Sequence, residues 1–453
     1  MNRHIGFLFM ATGLLFLLAG IMFGILGGVF YLFPQELRDA LPFTKIRPLH
    51  VSAIVFWILF AAIGGLYLYL PKYKKKHSAR LGIWHYLLLL IAATAILGCY
   101  FTGIFGGREY WEFPPILALP IAASFILLGI NFYKSMRKNK EPWPAYRWMW
   151  LTGIIFFLLS FTESYLWLIP YFRDSLVRDM AVQWKSYGSL VGSWNMLING
   201  SALFIMEKLS GDRTMARKPL TFSMFFLGLF NLMFNWGHHI YSLPVNDFIR
   251  YTAYIVSMTE LLILGKIILN WRSTLSEAKR NKHLLPFRFM TAADIWIFLN
   301  LFTAILMSVP ALNLYTHGTH VTVAHAMGTT IGINTMLLLA SICYACTRFL
   351  GKLSSKSIRW VNKGLYFGNI SLLVFWLALL GAGISKAMLQ TQNPSIAHGL
   401  LMQQLKPWFI GFTLSGAGIV AGLVMVIVPL LHFMITKKIK LNTQTAHKLL
   451  QHS

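Results

Sequence analysis

Apolar residues in this chain neither alternate with polar ones nor recur on one helical face. They run in long unbroken blocks. About twelve blocks can be marked, roughly at 5–33, 50–71, 82–104, 114–134, 147–171, 184–207, 219–241, 246–271, 288–312, 317–349, 359–385 and 405–436. Each is long enough to cross the hydrocarbon layer of a bilayer, about 30 Å thick, as a helix. The linkers between them are short. The expected fold is all-α: a polytopic membrane bundle of about twelve transmembrane helices, forming one domain over residues 1–453. No soluble domain and no internal repeat is evident, and no cleavable leader is expected, because the first block is itself long enough to span.

Composition agrees. The chain is 57% apolar and 12% charged, with a mean hydropathy of +0.60, which excludes an ordinary water-soluble globule. Its net charge is +26. Lys and Arg crowd alternate loops: Lys72, Lys74, Lys75, Lys76 and Arg80; Lys134, Arg137, Lys138 and Lys140; Lys208, Arg213, Arg217 and Lys218; Arg272, Lys279, Arg280 and Lys282; Arg348, Lys352 and Lys356; and the tail at Lys437, Lys438 and Lys440. Positive loops face the cytoplasm, so both termini are expected there. The charge is read as facing membrane lipid, with no nucleic acid as partner. Cys343 and Cys346 form a C-x-x-C pair without a following His, which gives no support to covalent c-type haem.

Histidine is rare inside membrane spans and functional there by default. The stretch Tyr315-Thr316-His317-Gly318-Thr319-His320-Val321-Thr322-Val323-Ala324-His325-Ala326-Met327 opens the tenth block. At about 100° and 1.5 Å per residue, His325 and Met327 lie on nearly opposite faces of one helix at nearly one depth. Both are donors to haem iron, so this helix suits a place between two haems. His320 shares the face of Met327 two turns further out. On the positive-inside topology, His50 on span two, Asn195 on span six, His238 and His239 on span seven and His325 on span ten all fall in the outer half of the membrane. His85 and His432 sit near inner span ends, and nothing specific is expected of them.

Twelve spans, Arg47-Pro48-Leu49-His50, Gly237-His238-His239 and Thr316-His317-Gly318-Thr319…Ala324-His325 together resemble the haem–copper oxidase superfamily. Within it, the match is strongest to the catalytic large (cytochrome b) subunits of cytochrome c-dependent nitric oxide reductases. Gly107-Arg108-Glu109-Tyr110-Trp111-Glu112 matches that group's G-R-E-x-x-E segment. The resemblance implies a haem–copper oxidase subunit I-like bundle in a bacterial cytoplasmic membrane, carrying two b-type haems. It makes His50 an axial ligand of a low-spin haem and His325 the proximal ligand of a high-spin haem. His238 and His239 would bind a non-haem iron or copper. Glu109 would help hold a calcium ion, Glu112 would lie on a proton route from outside, and Glu260 would lie near the metal centre. A membrane-anchored cytochrome c subunit is the implied electron donor.

Three positions depart from the pattern. Met327 stands where the group has a second low-spin haem His, leaving ligation by Met327, by His320 or by His50 alone, or no haem there. Asn195 and Asn199 stand where a metal-ligand His and a Glu are expected, and an amide is a weak, hard donor. Glu260 and Glu163 are the carboxylates placed to compensate. The expected activity is reduction of nitric oxide to nitrous oxide. Oxygen reduction, nitric oxide dismutation and a non-catalytic haem-binding or sensing role are the competing expectations. Oxygen-reducing relatives with a tyrosine on span six place it four residues after the ligand, where this chain has Asn199, although Tyr241 and Tyr251 remain near. A solute transporter leaves the histidines unexplained and lacks paired broken helices.

Overall fold

The computed structural model describes residues 2–450 apart from 40, 71–74, 138–140, 242, 257–266, 268–269 and 272–275. Among the described residues there are eleven helices long and apolar enough to cross a membrane, and no strand. In chain order they begin with α1 (His4–Leu32), α2 (Phe43–Tyr69), α3 (Ser78–Thr102), α4 (Pro115–Met136), α5 (Ala145–Leu168), α6 (Leu176–Ser210) and α7 (Pro219–Ile240). The expected eighth span is described as helix over 247–256, here α8, and most of its remainder lies outside the described residues. Then follow α9 (Leu284–Ser308), α10 (His320–Phe349), α11 (Ser355–Gln392) and α12 (His398–Lys437). Eleven helices plus this partly described one agree with the expected count of about twelve.

Several helices overrun the apolar blocks that announced them. α6 starts at Leu176 and α11 ends at Gln392, because polar residues outside the hydrocarbon layer continue a helix at little cost. α10 starts later than its block. Gly318 takes a left-handed φ of +70°, which a glycine adopts without strain. Thr319 then caps the helix, its Oγ1 accepting from the Val321 amide at 3.2 Å.

Burial separates a centre from a rim. In α2, 89% of the apolar window is buried, in α6 72% and in α10 67%, against 33% in α3, α5 and α11. The three central helices are those carrying His50, Asn195 and His325. Polar bonds tie them together. Trp57 of α2 donates to Thr335 of α10 at 3.1 Å. The Tyr69 hydroxyl lies 2.7 Å from Ser341 Oγ. Asn334 of α10 donates to Asn195 of α6 at 3.0 Å.

Just inward of Met327, α10 widens into a π-helical segment, Gly328–Thr335. Gly328 and Gly332 let Asn300 and Trp296 of α9 press directly onto its backbone. Asn300 also donates to Thr329 Oγ1 at 2.7 Å, and Thr335 donates to the Thr330 carbonyl at 2.8 Å. Such bulges recur at functional sites.

The rim helices α11 and α12 approach through glycine. A Cβ on Gly422 would fall 2.5 Å from Gly368 Cα and 2.6 Å from its nitrogen, so neither backbone can retreat locally. Gly422→Leu is therefore expected to destabilise the bundle by about 1–3 kcal/mol through overpacking. Thermal unfolding of the purified protein in detergent checks this. An unchanged melting temperature would mean that the two helices do not cross there.

Candidate functional site

The start of α10 and the end of α7 bring several histidines close together. His238 and His239 lie in a 3-10 turn, Asn235–Ile240, that ends α7. Their ring centroids are 4.1 Å apart. The ring of Trp184, on α6, stacks on His239 at 4.6 Å with a 9° interplanar angle. His317, just before α10, stands 6.4 Å from His239 edge to face. The short helix Pro310–Thr316 is pinned against this turn, since Asn313 Nδ2 donates to the carbonyls of Met307 at 2.8 Å and His238 at 3.4 Å. His325 lies within electrostatic reach of His239. It also approaches the Asn300 backbone, and its Nδ1 is buried without a hydrogen-bond partner.

The structure does not bring Asn195 to this pair. Inward from the Trp184–His239 stack, Gly188 meets Trp236, Gly192 meets Leu232 and Gly228 meets Met196. Asn195 is thus about three turns below the stack, or some 16 Å at 1.5 Å per residue. Its amide oxygen is taken by Asn334. Asn199 follows one turn further in. Glu163 is at the level of the histidines, but Lys185 Nζ holds both its oxygens, at 2.5 and 2.6 Å. Glu260 lies outside the described residues. Among the described residues, no group of three or more His, Cys, Asp or Glu is placed to hold a metal. Among the described residues, the His238–His239 pair is thus not joined by a third such side chain.

On the other face of α10 the fit to a haem is better. His50 Nδ1 is 2.7 Å from the Gly20 carbonyl, which fixes Nδ1 as the protonated nitrogen and leaves Nε2 its lone pair. A Cβ on Gly24 would fall 2.9 Å from the His50 ring, so α1 yields the room the imidazole needs. Tyr31 of α1 touches His320 at 5.7 Å between centroids. Seven residues inward, α1 reaches Gly24 and the antiparallel α10 reaches Met327. Met327 is therefore at the depth of His50. His320 is two turns further out, boxed by Tyr31, Phe409 and Phe412, with both ring nitrogens buried and unpartnered.

The loop after α3 closes this end of the bundle. Arg47, one turn before His50, forms ion pairs with Glu109 and with Glu112, the latter at 3.2 Å. Arg108 instead pairs with Asp179 at 2.7 Å. Tyr110 holds a left-handed φ of 69°, with the Arg47 guanidinium 5.5 Å from its ring centroid. That strain, of order 1–3 kcal/mol, is sustained by the clasp around it. Glu109, expected near a calcium ion, and Glu112 are thus both engaged by the Arg47 guanidinium. Glu112 keeps its second oxygen buried and unpartnered, and burial holds its carboxyl above the usual carboxylate range despite Arg47. Nothing in the sequence assigned a role to Trp184, Lys185 or Asn334. Only Lys185 left a signal, as a lysine near the start of an apolar block.

Known proteins resemble this chain at low identity. A nitric oxide reductase subunit of Stutzerimonas stutzeri is 25% identical over 402 residues, covering 81% of this chain and 80% of that one. A cytochrome c oxidase subunit 1 homolog of Agrobacterium tumefaciens (strain T37) is 23% identical over 408 residues, covering 84% and 74%. A cryo-EM structure of a heme-copper terminal oxidase dimer superposes with a TM-score of 0.72 at 14% identity, over 96% of this chain and 84% of that one, which speaks for the fold alone. The family described as "Cytochrome C and Quinol oxidase polypeptide I" matches residues 4–418. A match over nearly the whole chain, on a bundle whose central helices carry the histidines, makes this protein a member of the haem–copper oxidase subunit I family, membrane oxidoreductase subunits that bind haem and a metal centre.

Proposed function

We propose that the protein reduces nitric oxide to nitrous oxide in the bacterial cytoplasmic membrane, with both termini inside and electrons arriving from a membrane-anchored cytochrome c subunit. Two nitric oxide molecules take up two electrons and two protons. One N–N bond forms, and one oxygen leaves as water. The observation that carries the reading is α10, which sets His325 beside His238 and His239 while Met327 matches the depth of His50. His50 and Met327 would hold a low-spin b-type haem and His325 a high-spin one. Bound there, the haems supply electron transfer and a place for the gas.

The chain's own residues do the rest. Gly20 orients the His50 ring. Asn313 fixes the His238 turn, and Trp184 keeps the His239 ring from rotating. Arg47 holds Glu109 and Glu112 at the outer mouth, and Glu112 has a free oxygen with which to pass protons inward. Carboxylates in such surroundings commonly serve proton transfer. Oxygen reduction is less well supported. Asn199 stands at the tyrosine position, the Tyr241 hydroxyl is engaged by the Ser308 carbonyl at 3.2 Å, and Tyr251 is 66% exposed.

Anaerobic turnover of isotopically labelled nitric oxide by the purified complex, with and without an electron donor, tests the proposal by mass spectrometry. Donor-dependent nitrous oxide is expected. Donor-independent dinitrogen with oxygen would mean dismutation, and haem without any product gas would mean a binding or sensing role.

Met327→His should lower the reduction potential of the low-spin haem, because thioether ligation raises it. An unchanged potential and spectrum would exclude Met327 as a ligand. Glu112 adds a pH signature. Its raised carboxyl stays protonated to higher pH than an ordinary glutamate and loses its donor form as pH climbs through that range. Turnover should decline along that alkaline limb. Glu112→Gln should slow proton-coupled turnover by about a hundredfold and abolish the limb. A limb surviving in the variant would put the titrating group elsewhere.

A further inference from the structure

The outer surface of α11 carries a pattern unrelated to the haem site. Lys356, Arg359, Trp360 and Lys363 recur at i, i+3, i+4 and i+7, so they share one face of the helix. They line an open cleft of about 210 Å3, and all four are exposed. Tyr366 continues the row, with the Arg288 guanidinium of α9 5.8 Å from its ring centroid. Beyond it the same face turns wholly apolar and stays exposed: Phe367 at 47%, Ile370 at 63%, Val374 at 51% and Leu377 at 52%.

Cations at this density normally acquire carboxylate partners, and these do not. The chain has no Asp or Glu after Asp294. No ion pair among the described residues involves Lys356, Arg359 or Lys363. The helix start, capped by Ser354, adds its own partial positive charge. The cleft lies at the end of the bundle that carries the basic loops, and Trp360 marks the depth where an aromatic ring meets the headgroups.

From this juxtaposition we infer that the α11 face binds an anionic phospholipid. Its phosphate lies in the cleft among Lys356, Arg359 and Lys363, and an acyl chain lies along Phe367, Ile370, Val374 and Leu377. A free phosphate would use only the first half of the row. A neutral lipid would use only the second half. The full row, charged then apolar at one helical spacing, matches an amphiphile with a negative head.

Native mass spectrometry of the full purified chain provides the test. It is released from nanodiscs of phosphatidylglycerol and phosphatidylcholine with identical acyl chains. The wild type is expected to retain phosphatidylglycerol preferentially. The triple variant Lys356→Gln, Arg359→Gln, Lys363→Gln should weaken that retention by about fivefold per cation, near a hundredfold in all. Lys406→Gln, an exposed cation near the opposite end of α12, should leave it unchanged. All three sites are on the surface, so the triple variant should melt like the wild type in phosphatidylcholine. Equal retention of the two lipids would overturn the inference and leave the row as a face for an acidic protein partner. Displacement of phosphatidylglycerol by millimolar inorganic phosphate would overturn it too, since the apolar half would then contribute nothing.

Discussion

Hydrocarbon offers no hydrogen-bond partner, so every polar group on a buried span must find one inside the protein or be kept for something that binds there. This constraint sorts the polar residues of the central helices into two kinds. Trp57, Tyr69, Asn195, Asn300, Thr329, Asn334, Thr335 and Ser341 are all satisfied by one another across helix boundaries. They act as pegs, fixing the relative depth of α2, α6, α9 and α10. His320 keeps two unpartnered ring nitrogens and His325 one. His50 is engaged through Nδ1 by the Gly20 carbonyl, which turns its other nitrogen toward whatever binds beside it. His50, His320 and His325 keep this capacity where haem is expected, and His85, buried in α3, keeps an unpartnered Nε2 as well.

Depth then becomes a common coordinate for the site. His238, His239, Trp184 and Lys185 occupy one level, and His317 approaches it from the short helix before α10. Asn195 and Asn334 occupy a level about three turns deeper. The amide at 195 does not stand in for an imidazole facing the His pair, because it is a peg joining α6 to α10. That placement changes the question raised by the two asparagine substitutions. Beyond lost metal affinity, they bear on how α6 is registered against α10. The Glu163–Lys185 pair holds the same helix to α5 at the upper level. α6 is therefore fixed at two heights, and the Trp184 ring is presented to His239 by a helix with little freedom to slide.

Much of this was legible in the sequence, and the part that was not has a physical cause. Apolar blocks report transfer free energy along the chain, so they gave the span count and, with the Lys and Arg bias, the expected topology. The positions of His50, His238, His239 and His325 within their blocks gave their depth. Lateral neighbours leave no such trace. The segment Gly107–Glu112 showed two carboxylates beside Arg108, yet they turn to Arg47, which is remote in sequence and one helical turn from His50. The preference for Met327 over His320 needed Tyr31 and Gly24 as depth marks on another helix. The π-helical segment has no compositional signature beyond two glycines, because its cause is the pressure of Trp296 and Asn300 from α9.

The distribution of carboxylates shows why these devices stay separate. Glu109, Glu112, Glu163 and Asp179 lie on the α3–α6 side, and each is paired with Arg or Lys. The last third of the chain, from α10 through α12, has none. Glu36, Asp39 and Asp247 are further acids in the neighbouring loops at this end of the bundle, but the cluster formed by Glu109 and Glu112 is the one held by Arg47, one turn from His50. The α11 side has cations without acids and cannot relay a proton through carboxylates. Its uncompensated charge is free to face the membrane surface. Had acids been spread evenly, the cations of α11 would have been neutralised within the protein.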